Sequence, residues 1–288
     1  MSEPLLVAED LRVDVEDVPT CDGLTLRTTG DHVLVLGAPR ALFEAACGQR
    51  DVVRGSLTVR GSLPDEAIKA GRAAACPLDP PLPPKWNAIE YATWSARLAG
   101  HAKADARAHA EDAIARVQLG AMAKSPMLAL PPHAKRGVVV AAALATCAEL
   151  ILLEDPLTGL PEEIARTWAR ILVKALSERV WAVFAARMAL TSPLTLEADE
   201  AVVVSASRVV TQGPPAAIAA ADRRYVARIH GPIAALGDRL SAAGAALEVQ
   251  GAQVVLDLGE LSTADLLGMC VETDVTIVEM VPLSRALA

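Results

Sequence analysis

Aromatic side chains are nearly missing from this 288-residue chain: four Trp, two Tyr and two Phe make up 3% of it. The core must therefore be built from aliphatic residues, with Ala abundant among them. Runs of like charge are missing as well. The net charge is -8 with no block of Lys or Arg, which excludes the clustered positive surface that nucleic acids and anionic membranes require. The five cysteines (Cys21, Cys47, Cys76, Cys147 and Cys270) are odd in number, scattered and never spaced C-x-x-C. That usage points to a reducing compartment and to no metal cluster. No bilayer-spanning run occurs. The longest uncharged apolar stretch, residues 137–148, stops at Glu149, short of the roughly 20 residues a spanning helix needs. Glu3, Glu9 and Asp10 interrupt any signal-peptide pattern. The expectation is a cytoplasmic protein, peripheral on the membrane only through a partner. G-x-S-x-G, H-E-x-x-H and G-x-G-x-x-G do not occur, so the common hydrolase and dinucleotide readings lack support.

What is present is an alternation of strands and helices. Leu11, Val13 and Val15 alternate with Arg12, Asp14 and Glu16, the period of a half-exposed strand, and Leu24-Thr25-Leu26 repeats it. A buried strand at 33–36 runs through Gly37-Ala38-Pro39 directly into an apolar helix that starts near Arg40 and ends near Gly48. Residues 56–60 read as another strand. Five prolines between 77 and 84 impose an extended linker. The Ala-rich stretch from 89 to about 117 reads as helical. A helix at 138–144, a buried strand at 150–153, a helix at 161–177 and a strand at 180–185 follow. A hairpin at 201–204 and 208–210 closes the series. Such alternation implies a mixed sheet covered on its faces. After about Asp222 the character changes. Tyr225, Ala227 and Ile229 alternate as in a strand, and Ile233, Leu236 and Leu240 take helical spacing. Strands at 246–250 and 253–258 turn at Gly251, Ser262 and Asp265 form an N-cap pattern, and 275–280 is a closing strand. This β-α-β-β-α-β order suggests a small ferredoxin-like domain. It carries no chemical residues and reads as a packing or dimerisation module.

Three stretches carry a family resemblance. Leu150-Ile151-Leu152-Leu153-Glu154-Asp155-Pro156 is a hydrophobic run into an acidic pair, with Thr158-Gly159-Leu160 in the turn after it. A strand follows the span from Gly48 to Gly55, and Gly213-Pro214-Pro215-Ala216-Ala217-Ile218 closes the domain. In this order the chain resembles the nucleotide-binding subunit of ABC transporters from residue 5 to about 220. Its end resembles the accessory C-terminal domain of some exporter-type ABC ATPases. The resemblance implies an α/β, P-loop NTPase-like ABC ATPase fold in residues 1–221, with a helical subdomain at about 86–147. A small α+β ferredoxin-like domain would occupy 222–288.

The positions to which the resemblance assigns chemistry have changed. A phosphate loop reads G-x-x-x-x-G-K-[ST]: bare N–H groups wrap the phosphates, the Lys neutralises them and the hydroxyl holds magnesium. Here Gly37 is followed almost at once by the helix. About four residues are missing by the family count, and Arg40 and Ala41 fall where the hydroxyl pair would be. The adenine-stacking aromatic would fall on Val15, the γ-phosphate-sensing Gln on Leu78, and the switch His on Arg187. The Asp of the turn after the acidic motif would fall on Pro161. The L-S-G-G-Q signature reads Leu130-Pro131-Pro132-His133-Ala134, without the hydroxyl and with two residues that lack a backbone donor. Glu154 and Asp155 keep the acidic pair in reversed order, and Asp155 as a base is one methylene short. Micromolar affinity needs about -8 kcal/mol, and each charge-assisted phosphate contact is worth roughly 1.5–3 kcal/mol. Losing several loop amides together with the Lys removes most of that.

The expectation is a pseudo-ATPase that binds no cofactor and no metal, serving as a structural or regulatory component of a membrane transport or motility complex. Its partners would be a membrane-embedded subunit and a second ABC-type subunit, in a homodimer or heterodimer whose interface ATP does not open and close. The alternatives are a working ATP-binding subunit of an exporter and a free cytosolic scaffold. Trp86, Tyr91 and Trp94 fall within nine residues. Core packing and an interface anchor fit them equally, and in the resembled family this region faces the membrane subunit. His101, Asp105 and His109 recur every four residues, so that neighbours could share a metal. The alternating Ala, Lys and Arg around them read instead as a solvated helix face. Arg40 reads as a plain surface arginine.

Overall fold

The alternation seen at Leu11, Val13 and Val15 extends back to Leu6, but its phase changes on the way. In strand β1 (Leu6–Val15) the buried residues are Leu6 and Ala8, then Leu11 and Val13. Side chains alternate with period two, so the switch from even to odd positions needs one extra residue. A bulge supplies it, with Asp10 at φ 46° and a register shift in both pairings of the strand. β1 lies between β2 (Val18–Arg27) and β4 (Arg54–Val59) in a three-stranded antiparallel sheet. The computed structural model describes residues 3–38, 40–204, 208–221, 224–250 and 253–282. These fall into two compact units, Met1–Pro214 and Pro215–Ala288.

The second sheet of the first unit holds the buried apolar runs. β3 (His32–Leu36), β5 (Ala73–Cys76), β6 (Leu150–Glu154), β7 (Val180–Ala185) and β8 (Glu200–Val204) run parallel. β9 (Val209–Gly213) pairs antiparallel with β8, giving the order β5-β6-β7-β3-β8-β9. Helix α1 (Arg40–Ala46) buries Leu42 and Phe43 in the core, and Phe43 meets Phe184 of β7 edge to face at 5.6 Å. Fully burying such side chains contributes about 1.5–3 kcal/mol each. α6 (Glu162–Leu176) buries Trp168, Ala169, Leu172, Ala175 and Leu176, the stripe of an amphipathic helix.

Several expectations are corrected. The helical stretch of 89–117 is two helices, α3 (Ala88–Leu98) and α4 (Lys103–Arg116), separated at Gly100, which takes φ 97°. The next helix, α5, runs Pro132–Ala145 rather than 138–144, because proline at the first helical position forfeits only an N–H that has no helical partner anyway. α2 (Pro64–Lys69), β5 and α7 (Pro193–Glu197) have no counterpart in the sequence reading. α3, α4 and α5 pack on one another along seams of alanine, Ala88, Ala92 and Ala96 on α3 facing the group that includes Ala106, Ala110 and Ala113 on α4. Small side chains let the axes approach closely.

The second unit begins with α8 (Pro215–Ala221). β10 (Arg224–His230), α9 (Ile233–Ala242), β11 (Ala246–Gln250), β12 (Gln253–Asp257), α10 (Thr263–Glu272) and β13 (Thr276–Pro282) follow. Its sheet is antiparallel in the order β11-β12-β10-β13, the ferredoxin-like arrangement, over a core that includes Ile229, Leu236, Leu240, Leu256 and Leu266. α10 opens with a full capping box between Ser262 and Asp265. Asp222 and Gly251 lie outside the described residues, as does Pro39.

Gly55 sits against the bulge of β1 at φ 77°, where an added Cβ would run into the carbonyl oxygens of Glu9 and Asp10. Gly55→Ala is therefore expected to cost about 2–4 kcal/mol, read as a lowered urea midpoint. An unchanged midpoint would mean that the bulge is not held at this crossing.

Candidate functional site

Parallel pairing aligns the carboxyl ends of β3, β6 and β7, with Leu36 beside Ala185 and Glu154 beside Phe184. In an open α/β sheet this edge is where ligands bind. Between β3 and α1 the chain has only Gly37, Ala38 and Pro39. Gly37 takes φ 67° and donates its N–H to the Ala186 carbonyl at 3.1 Å, so that this amide is already used. A Cβ there would come within 2.6 Å of the Val204 carbonyl oxygen. α1 has seven residues and no acidic group in its first turn.

Arg40 opens that helix, at the end where the helix dipole is itself positive. Two carboxylates compensate. Its Nε donates to Glu44 Oε1 at 2.9 Å and lies 3.3 Å from Glu154 Oε1. Arg40 is 63% exposed, but the Glu154 side chain is only 8% exposed. The other oxygen of Glu154 accepts the Leu78 backbone N–H at 2.9 Å. Arg50 continues the chain of charge, donating to Glu44 Oε2 at 2.7 Å and to the Asp14 carbonyl at 3.0 Å. Burial alone would raise Glu44, but hydrogen bonds from Arg50 and Arg40 outweigh it and hold the carboxyl below its ordinary range. Arg40 lies at the surface as expected, but it is not plain: it is also tied to Glu154, a carboxylate that is almost wholly buried. Sequence separation concealed the pair, since Arg40 and Glu154 meet only through the sheet.

Asp155 follows at φ 41°, with its N–H on the Phe184 carbonyl at 2.8 Å. Burial pushes its carboxyl above the ordinary range, against a backbone hydrogen bond at Ala186 and the charge of Arg136. Arg136, on α5, donates to the Pro156 carbonyl at 3.3 Å, and burial lowers its pKa against Asp79 and Asp155. Arg187 is exposed and has no hydrogen bond or ion pair among the described residues. Val15 is half-buried against the core at the β1–β2 turn. Pro131 is the N-cap of α5 and Pro132 its first residue, with no side-chain cap. His133 lines a separate cleft with Leu119, Met122, Ile164 and Trp168. Ala41 is buried in α1.

The aromatic trio comes together. Trp86 and Trp94 meet edge to face at 6.0 Å, and Tyr91 lies 5.9 Å from Trp94. The proline segment is fixed beside them by hydrogen bonds from Met127 and Leu128 to the Trp86 and Pro84 carbonyls. Trp86 and Trp94 remain 38% and 45% exposed, and Leu98 and Leu128 are exposed further. No helix among the described residues is long and apolar enough to cross a membrane.

No family model matches the sequence, and no curated protein does. Solved structures do match. CbiO1 from Clostridium perfringens, part of the ABC transporter complex CbiONQ, superposes with TM-score 0.65 at 18% identity, over 76% of this chain and 92% of its own. The fold is that of ABC-transporter ATP-binding subunits. Another ATP-binding subunit of an ABC transporter aligns with TM-score 0.61 at 15% identity, over 94% of this chain and 99% of its own. A nucleotide-free ATP-binding cassette aligns with TM-score 0.61 at 13% identity, over 73% and 91%. In this ABC ATPase fold the edge that carries Gly37, Arg40, Glu154 and Asp155 is the one at which a P-loop NTPase-like sheet places its ligand.

A raised Asp155 pKa means that the folded protein holds this proton more tightly than the unfolded chain does. Stability therefore falls as pH rises from the ordinary value of 3.8 through the raised one, and the penalty persists above it. Asp155→Asn, whose amide tolerates the same backbone, is expected to raise Tm at pH 7, with the gain vanishing below pH 3.8. Solvent screening of a half-buried carboxyl keeps the gain under about 1 kcal/mol. A lower Tm at pH 7 would mean that the ionised carboxylate is needed.

Proposed function

We propose that the chain is a cassette subunit without ATPase activity, a structural or regulatory component of a membrane transport or motility complex. The observation that carries this reading is the pairing of Arg40 with Glu154. Where the resemblance puts a magnesium-linked acid and a phosphate loop, the acid is paired with an arginine of the same chain and accepts the Leu78 amide N–H. The three-residue connector at Gly37 supplies too few free N–H groups to wrap a polyphosphate. Leu78 and Arg187 offer neither the amide side chain nor the imidazole that sensing would use, and Val15 offers no π face for adenine. Pro131, Pro132 and His133 supply no hydroxyl to a facing subunit, so the proposed dimer contact is indifferent to ATP.

CbiO1 belongs to a transporter complex, and we extend that arrangement to this chain, with an exporter-type accessory role for the ferredoxin-like unit. Trp86, Tyr91 and Trp94 would anchor the membrane-embedded partner. They are partly exposed, packed ring against ring and flanked by the proline segment, so little side-chain freedom is left to lose on docking.

Calorimetry of the purified chain with magnesium-ATP is expected to detect no binding into the low-millimolar range. A micromolar dissociation constant would overturn the inactive reading in favour of a working ATP-binding subunit. Trp86→Ala with Trp94→Ala is expected to cut co-purification with detergent-extracted membrane protein by about tenfold or more, with circular dichroism unchanged. Undiminished co-purification would remove the aromatic cluster from the interface.

A further inference from the structure

The histidines read from sequence as part of a solvated helix face are placed differently. His101 is not on α4 but in the turn before it, with its N–H on the Ala96 carbonyl at 3.2 Å. The chain turns back there, and the His101 and His109 rings meet edge to face with centroids 4.7 Å apart. Asp105, the third member of the sequence pattern, is exposed and is not part of the cluster. Cys147 takes its place, from the residue after the C-cap of α5. The ligand atoms of His101, His109 and Cys147 all lie within 4.8 Å of one another, each residue half-buried.

Three details make this more than a chance meeting. The Nε2 atom of His101 lies 2.9 Å from the Thr146 carbonyl oxygen. A carbonyl can only accept, so Nε2 carries the proton and Nδ1 keeps its lone pair. This is the arrangement that orients metal-bound histidines: one ring nitrogen on a backbone carbonyl, the other toward the ion. Cys147, in turn, stands at φ 60°, the left-handed position after a helix end that glycine usually fills. A thiol is held there at a cost in backbone strain, with only a long contact of 3.9 Å to the Ala145 carbonyl. The His109 ring nitrogens have no partner among the described residues.

We propose that His101, His109 and Cys147 form a zinc site with three protein ligands and an open fourth position. Imidazole with thiolate is a zinc set rather than a magnesium or calcium one. Ligand atoms around one zinc stand about 3.3–3.7 Å apart, as bond lengths near 2.0–2.3 Å require, so the three close by about an ångström through side-chain rotation. Binding forms two Zn–N bonds and one Zn–S bond, and the Cys147 proton leaves to solvent. The ion would tie the α3–α4 turn and α4 to the end of α5, just ahead of β6.

The test uses the whole chain, stripped with chelator and kept reduced. Zinc titration by calorimetry is expected to give one equivalent at micromolar or tighter affinity and a raised Tm. Cobalt as a stand-in should produce a thiolate charge-transfer band. His109→Gln and Cys147→Gly should each weaken zinc by more than the roughly 10–100-fold that loss of an outer partner costs, and Cys147→Gly should abolish the cobalt band. Cys147→Gly also controls for folding, because glycine suits φ 60°. Its metal-free Tm should equal or exceed that of the native chain while the zinc-induced shift disappears. No uptake at millimolar zinc overturns the proposal. So does uptake that both variants leave unchanged, since the metal would then sit on other groups.

Discussion

Everything at the carboxyl edge of the large sheet depends on how few residues separate β3 from α1. With only Gly37, Ala38 and Pro39 between them, the helix begins directly beside the strands that carry Glu154, and its first side chain reaches that carboxylate. A buried carboxylate without a partner is costly. Here Arg40 and the Leu78 amide answer it from within the chain, and Glu44 and Arg50 neutralise what would otherwise be surplus charge on either side. The same shortness explains Gly37, whose backbone conformation and closeness to the Val204 carbonyl leave no room for a side chain.

The rest of the fold tolerates this compact edge because its stability lies elsewhere. The parallel strands are mostly apolar and buried, and the helical region closes largely on buried alanines. Glu200 makes the same point at the other end of the sheet. It is buried, and its carboxylate accepts hydrogen bonds from the Thr29 and Gly30 amides and from Gln212. The two buried carboxylates, Glu154 and Glu200, are thus each met by backbone and side-chain donors.

Much of this was legible in advance, and the reasons differ from element to element. β6 and β7 announced themselves as apolar runs, Leu150 to Leu153 and Val180 to Ala185, and the second unit through clean changes of period. β5 did not, because Ala73-Ala74-Ala75-Cys76 has no strand propensity and becomes a strand only by pairing with β6. The phase change in β1 hid half of that strand from a pattern search, since Asp10 lies where the period resets. The roles that the resemblance assigns to Val15, Leu78 and Arg187 rest on motif spacing and enter only the proposed function. Other contacts could not be read from the sequence: the buried partner of Arg40 and the third member of the histidine cluster lie far along the chain and arrive only through tertiary contacts.

The anchoring of α1 has one further consequence. Leu42, Phe43, Ala45 and Ala46 fasten the helix to the core, and Phe43 lies against Phe184. On the proposed reading, opening this edge to a polyphosphate would mean lifting a helix whose apolar side chains are part of the interior, an event closer to local unfolding than to gating. The hydrophobic core would then itself be what governs access to the edge.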